Sequence, residues 1–173
     1  MTMSKTPFPA RAAAFGALIL TLAGFAAAPA LAEGTKERGR YLATIMDCGG
    51  CHTPGAMTGQ PDMAHALGGS DLGFEIPGMG VFYPPNLTSD KETGLGNWSA
   101  AEIVAAVRTG VRPDGRELAP VMPWHSYGAL TDADAKALAV FIKSLPAFSH
   151  KVPGPFGPGQ TPTAPYFTVA VPK

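Results

Sequence analysis

The two cysteines of this 173-residue chain stand three positions apart, and a histidine follows directly, in Cys48-Gly49-Gly50-Cys51-His52. This spacing is typical of c-type haem attachment. Each thiol would form a thioether bond with one vinyl group of the porphyrin, which places the histidine under the iron as its proximal ligand. The two glycines would remove side-chain bulk where the backbone passes close to the ring. The pattern therefore predicts one haem c, bound covalently through Cys48 and Cys51, with His52 as an iron ligand.

Three other kinds of site use cysteines at this spacing. A thioredoxin-like dithiol belongs in a βαβ context, whereas the residues before Cys48 show a helical pattern. A structural zinc site needs four ligands, and the sequence has no second Cys-x-x-Cys or paired-histidine motif. A disulfide between Cys48 and Cys51 would close a very small loop and would stabilise the fold little. These three sites are the alternatives to haem attachment.

A haem with one histidine ligand has a second axial position, and its ligand distinguishes an electron carrier from a catalyst. We predict Met122, because Pro120 and Pro123 would hold its sulfur in a stiff loop and a thioether raises the reduction potential. Met79, preceded by Pro-Gly and followed by Gly, is a rival ligand. His125 is another, and it would give a bis-histidine haem of lower potential. Simple packing in the core is the remaining interpretation of Met122.

Residues 1–32 are predicted to be a cleaved signal peptide. Lys5 and Arg11 precede an almost wholly apolar stretch, and residues 30–32 supply the small-x-small pattern expected before a cleavage site at Glu33. A retained membrane anchor is the alternative, but the apolar run is short for a bilayer span of roughly 20 residues. Because c-type haem is attached outside the bacterial cytoplasm, export agrees with the haem motif. We expect a periplasmic protein.

The remaining chain has the length of one domain. Removing Lys5 and Arg11 lowers the basic count from 13 to 11, against 13 acidic residues. This balance lacks the basic stripe of a nucleic-acid-binding protein, so no nucleic-acid partner is expected. No later stretch of the sequence is long and apolar enough for a bilayer span, and we expect no transmembrane anchor in the mature chain.

The first predicted helix covers residues 33–47. Tyr41, Leu42, Ile45 and Met46 lie at helical spacing and would form one apolar stripe. Gly39 interrupts this helix, where glycine costs about 1 kcal/mol relative to alanine. Either another helix approaches closely at Gly39 or the glycine is merely tolerated there.

Two further helices have clear end signals. Ser99 and Glu102 match a capping box, and Gly110 is a typical end for that helix. The third helix begins at Thr131 and ends before Pro146. Their buried faces would be formed by seven apolar residues: Ile103, Val104, Val107, Leu138, Phe141, Ile142 and Leu145.

Between the first and second helices, residues 53–98 are rich in Gly and Pro, and only a small hairpin is predicted, from residues 74–76 and 81–83. An irregular segment of this length fits a compact domain when it wraps a bound macrocycle. The sequence therefore predicts an all-α domain at residues 33–146, in which three or more helices and long loops surround one haem. A proline-rich extension follows at residues 147–173, either as a strap over the domain or as a flexible tail. His65 and His150 are interpreted as exposed loop residues.

Several motifs together carry a resemblance to one family. They are the haem-attachment motif, Asn86-Leu87-Thr88, residues 93–99, residues 108–111, residues 114–115 and Met122-Pro123. Over residues 35–145 the chain resembles the cytochrome c subunits of bacterial periplasmic and membrane-associated dehydrogenases for alcohols, sugars and sugar acids. Many of those subunits carry three haem domains and a membrane anchor, whereas this sequence has one attachment motif. It resembles a single-haem version.

The resemblance implies a class I cytochrome c fold, in which the N- and C-terminal helices cross beside the haem. It implies His52 and Met122 as axial ligands, and it places Gly39 and Tyr41 at the helix crossing. It also places Trp98 and Arg108 near the haem, where an indole N–H or a guanidinium would contact a propionate. Core packing for Trp98 and an exposed helix charge for Arg108 are the simpler interpretations.

We therefore expect a periplasmic single-haem electron carrier, or electron-transfer subunit, and not an enzyme. Its donor would be a periplasmic or membrane-associated dehydrogenase, and its acceptor an oxidase or another redox protein. The alternative is a haem enzyme or a ligand sensor with a labile sixth iron ligand, which would bind carbon monoxide or cyanide readily.

Overall fold

A computed structural model describes residues 27–172 of the chain, and the side chains of residues 33–172. Most of the predicted signal peptide lies outside the described residues. Its last six positions, residues 27–32, are described as helical backbone.

Five α-helices and a small sheet make up the described part of the chain. The helices are α1 (Ala27–Ile45), α2 (Cys48–His52), α3 (Ala100–Thr109), α4 (Trp124–Tyr127) and α5 (Asp132–Lys143). The strands are β1 (Gly73–Ile76), β2 (Gly80–Phe82) and β3 (Tyr166–Phe167). Single 3₁₀ turns occupy Ala56–Thr58 and Met63–His65. The predicted helices are all present, although α1 ends two residues earlier than expected. Over residues 27–172, no helix combines the length and hydrophobicity needed to cross a bilayer.

The helices α1 and α5 cross at Gly39. A Cβ atom at this position would overlap the carbonyl oxygen of Ala137, so any larger residue would push the two backbones apart. Close approach of a second helix is therefore the reason for Gly39. The implied position of Tyr41 in the crossing is wrong, because its side chain is 52% exposed. Instead, the Arg38 guanidinium lies 5.4 Å from the centre of its ring.

The buried face of α1 differs from the predicted stripe. Leu42 and Ala43 are buried and Met46 is packed against them, which makes a face at helical spacing with Gly39. Ile45 is 59% exposed. The prediction combined two adjacent stripes of the helix, and only the one that includes Gly39 meets α5.

The caps and buried faces of α3 and α5 agree with the sequence. The Ser99 hydroxyl accepts a hydrogen bond from the Glu102 amide, and the Glu102 carboxylate accepts one from the Ser99 amide. Gly110 ends α3 in the left-handed region, with φ of 75°. Ile103 and Leu138 are almost completely buried where the two helices meet. Local signals therefore place these helices correctly.

The sheet has strand order β2-β1-β3. The strands β1 and β2 form the predicted antiparallel hairpin, with Phe74 opposite Phe82. The third strand comes from the C-terminal extension and pairs with β1 in parallel, with Phe74 opposite Phe167. The sheet is an addition to a mainly helical architecture.

The C-terminal extension is an ordered strap, which we define as residues 147–167. The Phe148 carbonyl accepts a hydrogen bond from Asn86 Nδ2 at 2.7 Å. Further along, Phe156 and Val81 exchange two backbone hydrogen bonds. Nearer its end, the Ala164 carbonyl accepts a hydrogen bond from the Tyr83 hydroxyl at 2.7 Å. The strap thus closes over the loops that follow the attachment motif, and the flexible-tail alternative is wrong.

Contacts of the strap account for the positions of His65 and His150. His150 is not an exposed loop residue as predicted, because its Nδ1–H donates to the Gly68 carbonyl at 2.8 Å and its side chain is mostly buried. His65 is more exposed, and its ring stacks on Phe148 with centroids 4.0 Å apart. Both residues therefore help attach the strap to the loop at residues 65–71.

Candidate functional site

A cavity of about 660 Å³ lies between the helices, the loops and the strap. Cys48, Cys51, His52, Trp98 and Met122 all border it. Most other lining side chains are apolar, and they come from Met46 after α1, from α3 and α5, and from the hairpin, the loops and the strap. Five of the six predicted site residues, distant in sequence, thus share one cavity.

The attachment motif forms its own short helix, α2. Asp47, between α1 and α2, adopts the left-handed conformation with φ of 53°, and its carboxylate accepts a hydrogen bond from the Gly50 amide at 3.2 Å. A Cβ atom on Gly50 would overlap that carboxylate. Gly50 therefore leaves room for the Asp47 cap, a reason that differs from the one predicted. Gly49 has only an ordinary contact, with the Thr53 hydroxyl.

His52 is oriented by a hydrogen bond to the backbone. Its Nδ1 lies 2.8 Å from the Pro85 carbonyl oxygen, which can only accept, so Nδ1 carries the proton. In the neutral imidazole this leaves the Nε2 lone pair available as a ligand. Burial lowers the pKa of His52, and the bond to Pro85 opposes that effect. His52 is thus held neutral at the cavity, in the form that iron requires.

The environment of the cysteines disagrees with a reactive dithiol. Burial raises the pKa of the Cys48 thiol to about 11, and burial and the nearby Asp47 raise the pKa of Cys51. Redox-active dithiols have lowered pKa values and follow a strand, whereas α2 follows a helix. The two thiols are also not joined as a disulfide. Among residues 27–172, no group of three or more His, Cys, Asp or Glu side chains converges as a metal site.

Of the three candidates for the sixth iron ligand, Met122 is the one that borders the cavity. Its amide donates to the Ala119 carbonyl at 2.9 Å, and its own carbonyl accepts from the Trp124 amide at 2.8 Å. Met79 lies at the hairpin turn and is 44% exposed. His125 is exposed on α4, with its ring against Trp124. The geometry therefore brings together His52 and Met122 and leaves both rivals outside.

The structure does not place Arg108 at the cavity. Its guanidinium donates to the Asp132 carboxylate at 2.6 Å, on the outer side of α3. Arg112 and Arg116 border the cavity instead, and the Arg112 guanidinium lies 5.2 Å from the centre of the Trp98 ring. Trp98 is therefore where the resemblance implies, whereas the predicted role of Arg108 is corrected to Arg112.

Sequence reasoning missed four other residues that shape the cavity. The Pro85 carbonyl orients His52, and the Tyr127 hydroxyl donates to the Met46 carbonyl at 2.9 Å, which ties α4 to the end of α1. Arg116 and Lys151 border the cavity as well. Only the position of Tyr127, shortly after Met122, gave any signal in the sequence. The others depend on how distant loops are arranged.

These residues fit a covalently bound haem. Two unpaired thiols, a neutral imidazole and a thioether border one largely apolar cavity. In addition, the buried Nε of Arg112 has no well-aligned hydrogen-bond acceptor within residues 27–172, although Asp114 Oδ2 lies 3.4 Å from it. A buried guanidinium nitrogen without a well-aligned acceptor is unfavourable, and a haem carboxylate would supply one.

Comparisons with known proteins agree with this geometry. The cytochrome c family matches residues 36–146. The chain is 38% identical over 124 residues to the fructose dehydrogenase cytochrome subunit of Gluconobacter japonicus, a match that covers 69% of this chain and 24% of that protein. It is 36% identical over 131 residues to the cytochrome c subunit of a quinone alcohol dehydrogenase from Gluconobacter oxydans, covering 76% and 25%. It is 40% identical over 106 residues to the gluconate 2-dehydrogenase cytochrome c subunit of Pantoea cypripedii, covering 61% and 22%.

The chain spans about a quarter of the length of these relatives. Their names confirm the resemblance to dehydrogenase cytochrome subunits, which are electron-transfer components. The predictions of a cytochrome c-like fold and of an electron-transfer component are thereby confirmed. The family carries covalently bound haem c, and its match covers more than half of this sequence. The chain belongs to the cytochrome c family.

Proposed function

We propose that this chain is a periplasmic, single-haem electron carrier or electron-transfer subunit that accepts electrons from a dehydrogenase and passes them to an oxidase or another redox protein. One observation carries the proposal: Cys48, Cys51, His52 and Met122 all border the same cavity. A haem held there supplies one-electron redox chemistry, and histidine with methionine ligands favours a relatively high potential.

The protein's contribution is to hold the two iron ligands rigidly. His52 is fixed by the Pro85 carbonyl, and Met122 sits in a loop closed by hydrogen bonds to Ala119 and Trp124. Because both ligand positions are fixed by backbone hydrogen bonds, little rearrangement should accompany a change of redox state. This is the requirement of a carrier. A catalyst would need an exchangeable ligand position.

Electrons would enter and leave where the cavity reaches the surface beside Met122. Val121 and Pro123 border the cavity and are also exposed, which makes this rim apolar and uncharged. A small apolar rim suits the brief encounters that redox partners make, with interfaces below about 1,200 Å². The relatives named for fructose, alcohol and gluconate dehydrogenases support a dehydrogenase as the donor.

The ligand assignment is tested by absorption and near-infrared magnetic circular dichroism of the exported holoprotein. We expect a sulfur-to-iron band in the wild type that is lost in Met122→Ala. Met79→Ala and His125→Ala are the matched controls, since both side chains lie outside the cavity, and both should keep the band. Ready binding of carbon monoxide by the wild type would favour the haem enzyme or sensor.

The carrier role is tested by stopped-flow reduction with membrane-bound sugar, alcohol and sugar-acid dehydrogenases. One of them should reduce the wild type far faster than its free substrate does, and a terminal oxidase preparation should reoxidise it. Failure of all donors would argue against the proposed function. Cell fractionation with N-terminal sequencing tests the location: the periplasmic form should begin at Glu33 and carry one haem by mass.

A further inference from the structure

Three cationic side chains border the cavity, namely Arg112, Arg116 and Lys151. The carboxylates that border it are Asp47 and Glu92. Asp47 is already engaged, because it caps α2 by accepting the Gly50 amide. The three bordering cations therefore outnumber the two bordering carboxylates, although Asp114, which pairs with Arg112 at 3.4 Å, lies beside them. Arg116 and Lys151 are exposed, whereas Arg112 is partly buried.

Arg112 is the most buried of these cations. Its Nε is buried without an aligned acceptor among the described residues, although Asp114 Oδ2 lies 3.4 Å away. Burial lowers the pKa of Arg112, and the nearby charge of Arg116 lowers it further. The guanidinium lies over the Trp98 ring, and Trp98 also borders the cavity. A half-buried guanidinium beside a second cation is stabilised by an anion in the adjoining space.

Lys151 borders the cavity from the strap. The strap is held in place on both sides of this residue. The preceding residue, His150, donates its amide to the Thr93 hydroxyl at 3.0 Å. The following residue, Val152, packs so closely that a Cβ atom on Gly69 would meet its side chain. Thr93 and Trp98 belong to the same loop, so Lys151 and Arg112 both adjoin that loop.

We propose that Arg112 and Lys151, with Arg116 as supporting charge, bind the two propionate carboxylates of the haem, and that the strap serves to bring Lys151 to the cofactor. This inference rests on the proposed function, since it requires the haem. It assigns a role to the C-terminal extension, whose ordered course otherwise serves only to cover loops. Arg112 suits a buried carboxylate because its planar fork can donate two parallel hydrogen bonds, whereas Lys151 offers a point charge.

The proposal is tested by the midpoint potentials of Arg112→Gln and Lys151→Gln in the holoprotein. Reduction adds one electron, so a nearby cation stabilises the reduced form, and its removal lowers the potential. For Arg112→Gln we expect roughly a tenfold fall in the equilibrium constant for reduction, which is 59 mV for a one-electron couple. Lys151→Gln should cause a smaller fall in the same direction.

Two matched variants serve as controls. Arg108→Gln removes a guanidinium that pairs with Asp132 away from the cavity. Lys136→Gln removes an exposed ammonium on α5. Both should change the equilibrium constant less than twofold. Arg112→Lys keeps the charge and loses the planar fork, so its midpoint potential should stay close to that of the wild type. This variant keeps the test decisive if Arg112→Gln folds poorly.

Resonance Raman spectroscopy provides an independent measurement. The propionate bending modes should shift in Arg112→Gln and in Lys151→Gln, and they should stay at their wild-type positions in Lys136→Gln. Wild-type bands and potentials in both point variants would overturn the proposal. A different result would reject only the carrier function: the wild type binds haem and the variants shift the potential and the Raman bands, but no dehydrogenase reduces the protein. The propionate assignment would then remain intact.

Discussion

The two sides of the cavity are built in different ways. On the helical side, α1, α3 and α5 meet through small and apolar residues, and Ala139, Leu138 and Ile103 are almost completely buried. On the side formed by the loops and the strap, the most deeply buried residues include Asn86 and Thr88, which are polar. One side is stabilised by close packing, and the other by hydrogen bonds between segments far apart in sequence.

This difference decides which changes each side tolerates. A packed helix crossing responds to volume, because interiors have few spaces larger than a methyl group. A buried polar network responds to the loss of one partner, because the remaining groups stay desolvated and unpaired. The residues that border the cavity come from both sides, so both sides must hold for the site to form.

The largest effect is expected at the helix crossing. Gly39→Val should destabilise the holoprotein by about 3 kcal/mol or more, because the added atoms would overlap a backbone carbonyl that cannot rotate away. Chemical denaturation followed by far-ultraviolet circular dichroism measures this change. Gly34→Val is the control in the same helix, where a Cβ atom would have no neighbour within 4 Å. Equal losses in the two variants would show that the crossing is not sterically limited.

The helical side was also the more predictable from sequence. Ser99 and Glu102 cap α3 through groups three residues apart, and Gly110 ends it, so each signal is local. The stripe of α1 was partly wrong because Tyr41 and Ile45 are apolar yet lie one position away from the face that meets α5. Periodicity alone does not distinguish two adjacent stripes. Gly39 identifies the face of α1 that meets α5, because only a residue without a side chain fits there.

The candidate site was only partly predictable, for a geometric reason. The attachment motif identifies itself by spacing, and the prolines beside Met122 mark its loop. Arg108 and Arg112 are the same residue type, and which one reaches the cavity depends on the left-handed turn at Gly110 that separates them. The strap was unpredictable because it is held largely through its backbone carbonyls, such as that of Phe148, which every sequence offers.

The next largest effect is expected at Asn86, on the side of the loops. Its amide donates to the Phe148 carbonyl and the Thr93 hydroxyl, and its oxygen accepts from the Thr88 amide. Asn86→Ala should cost about 3 kcal/mol, because buried groups on the strap and the loop lose their partners together. Hydrogen exchange should quicken throughout the strap while α1 and α5 stay protected.

The control for that change is Asn97→Ala. Asn97 is exposed and donates to the Lys91 carbonyl within its own loop, so its loss should cost less than about 1 kcal/mol. If Asn86→Ala accelerated exchange in α1 as much as in the strap, the two sides would be one cooperative unit and the contrast between them would fail.

A smaller and more local effect is expected at the start of α3. Ser99→Ala removes the hydroxyl that accepts the Glu102 amide, and should cost about 1 kcal/mol. Exchange should quicken in the first turn of α3 and not in the strap, since the cap is contained within one helix. Ser149→Ala, at an exposed serine of the strap, is the comparison and should be nearly neutral.

The smallest effect is expected from the ion pair between α1 and α5, in which Arg38 Nε donates to Asp134 at 2.8 Å. The hydrogen bond from Arg38 lowers the pKa of Asp134 below its ordinary value of 3.8. A carboxyl group whose pKa is lowered by folding stabilises the folded state at pH values above its ordinary pKa. This contribution is lost as the pH falls through the lowered pKa. The melting temperature of the wild type should therefore slightly exceed that of Arg38→Gln near neutral pH. The difference should shrink below pH 3.8.

Salt and a second variant separate this ion pair from packing. Because the pair is exposed, added salt should also reduce the difference, whereas Lys136→Gln, on the exposed face of α5, should show no such dependence on pH. Arg38 also lies over the Tyr41 ring. A difference that persisted after Asp134 is protonated would mean that Arg38 stabilises α1 through that ring. The helical side would then depend on packing even at its surface.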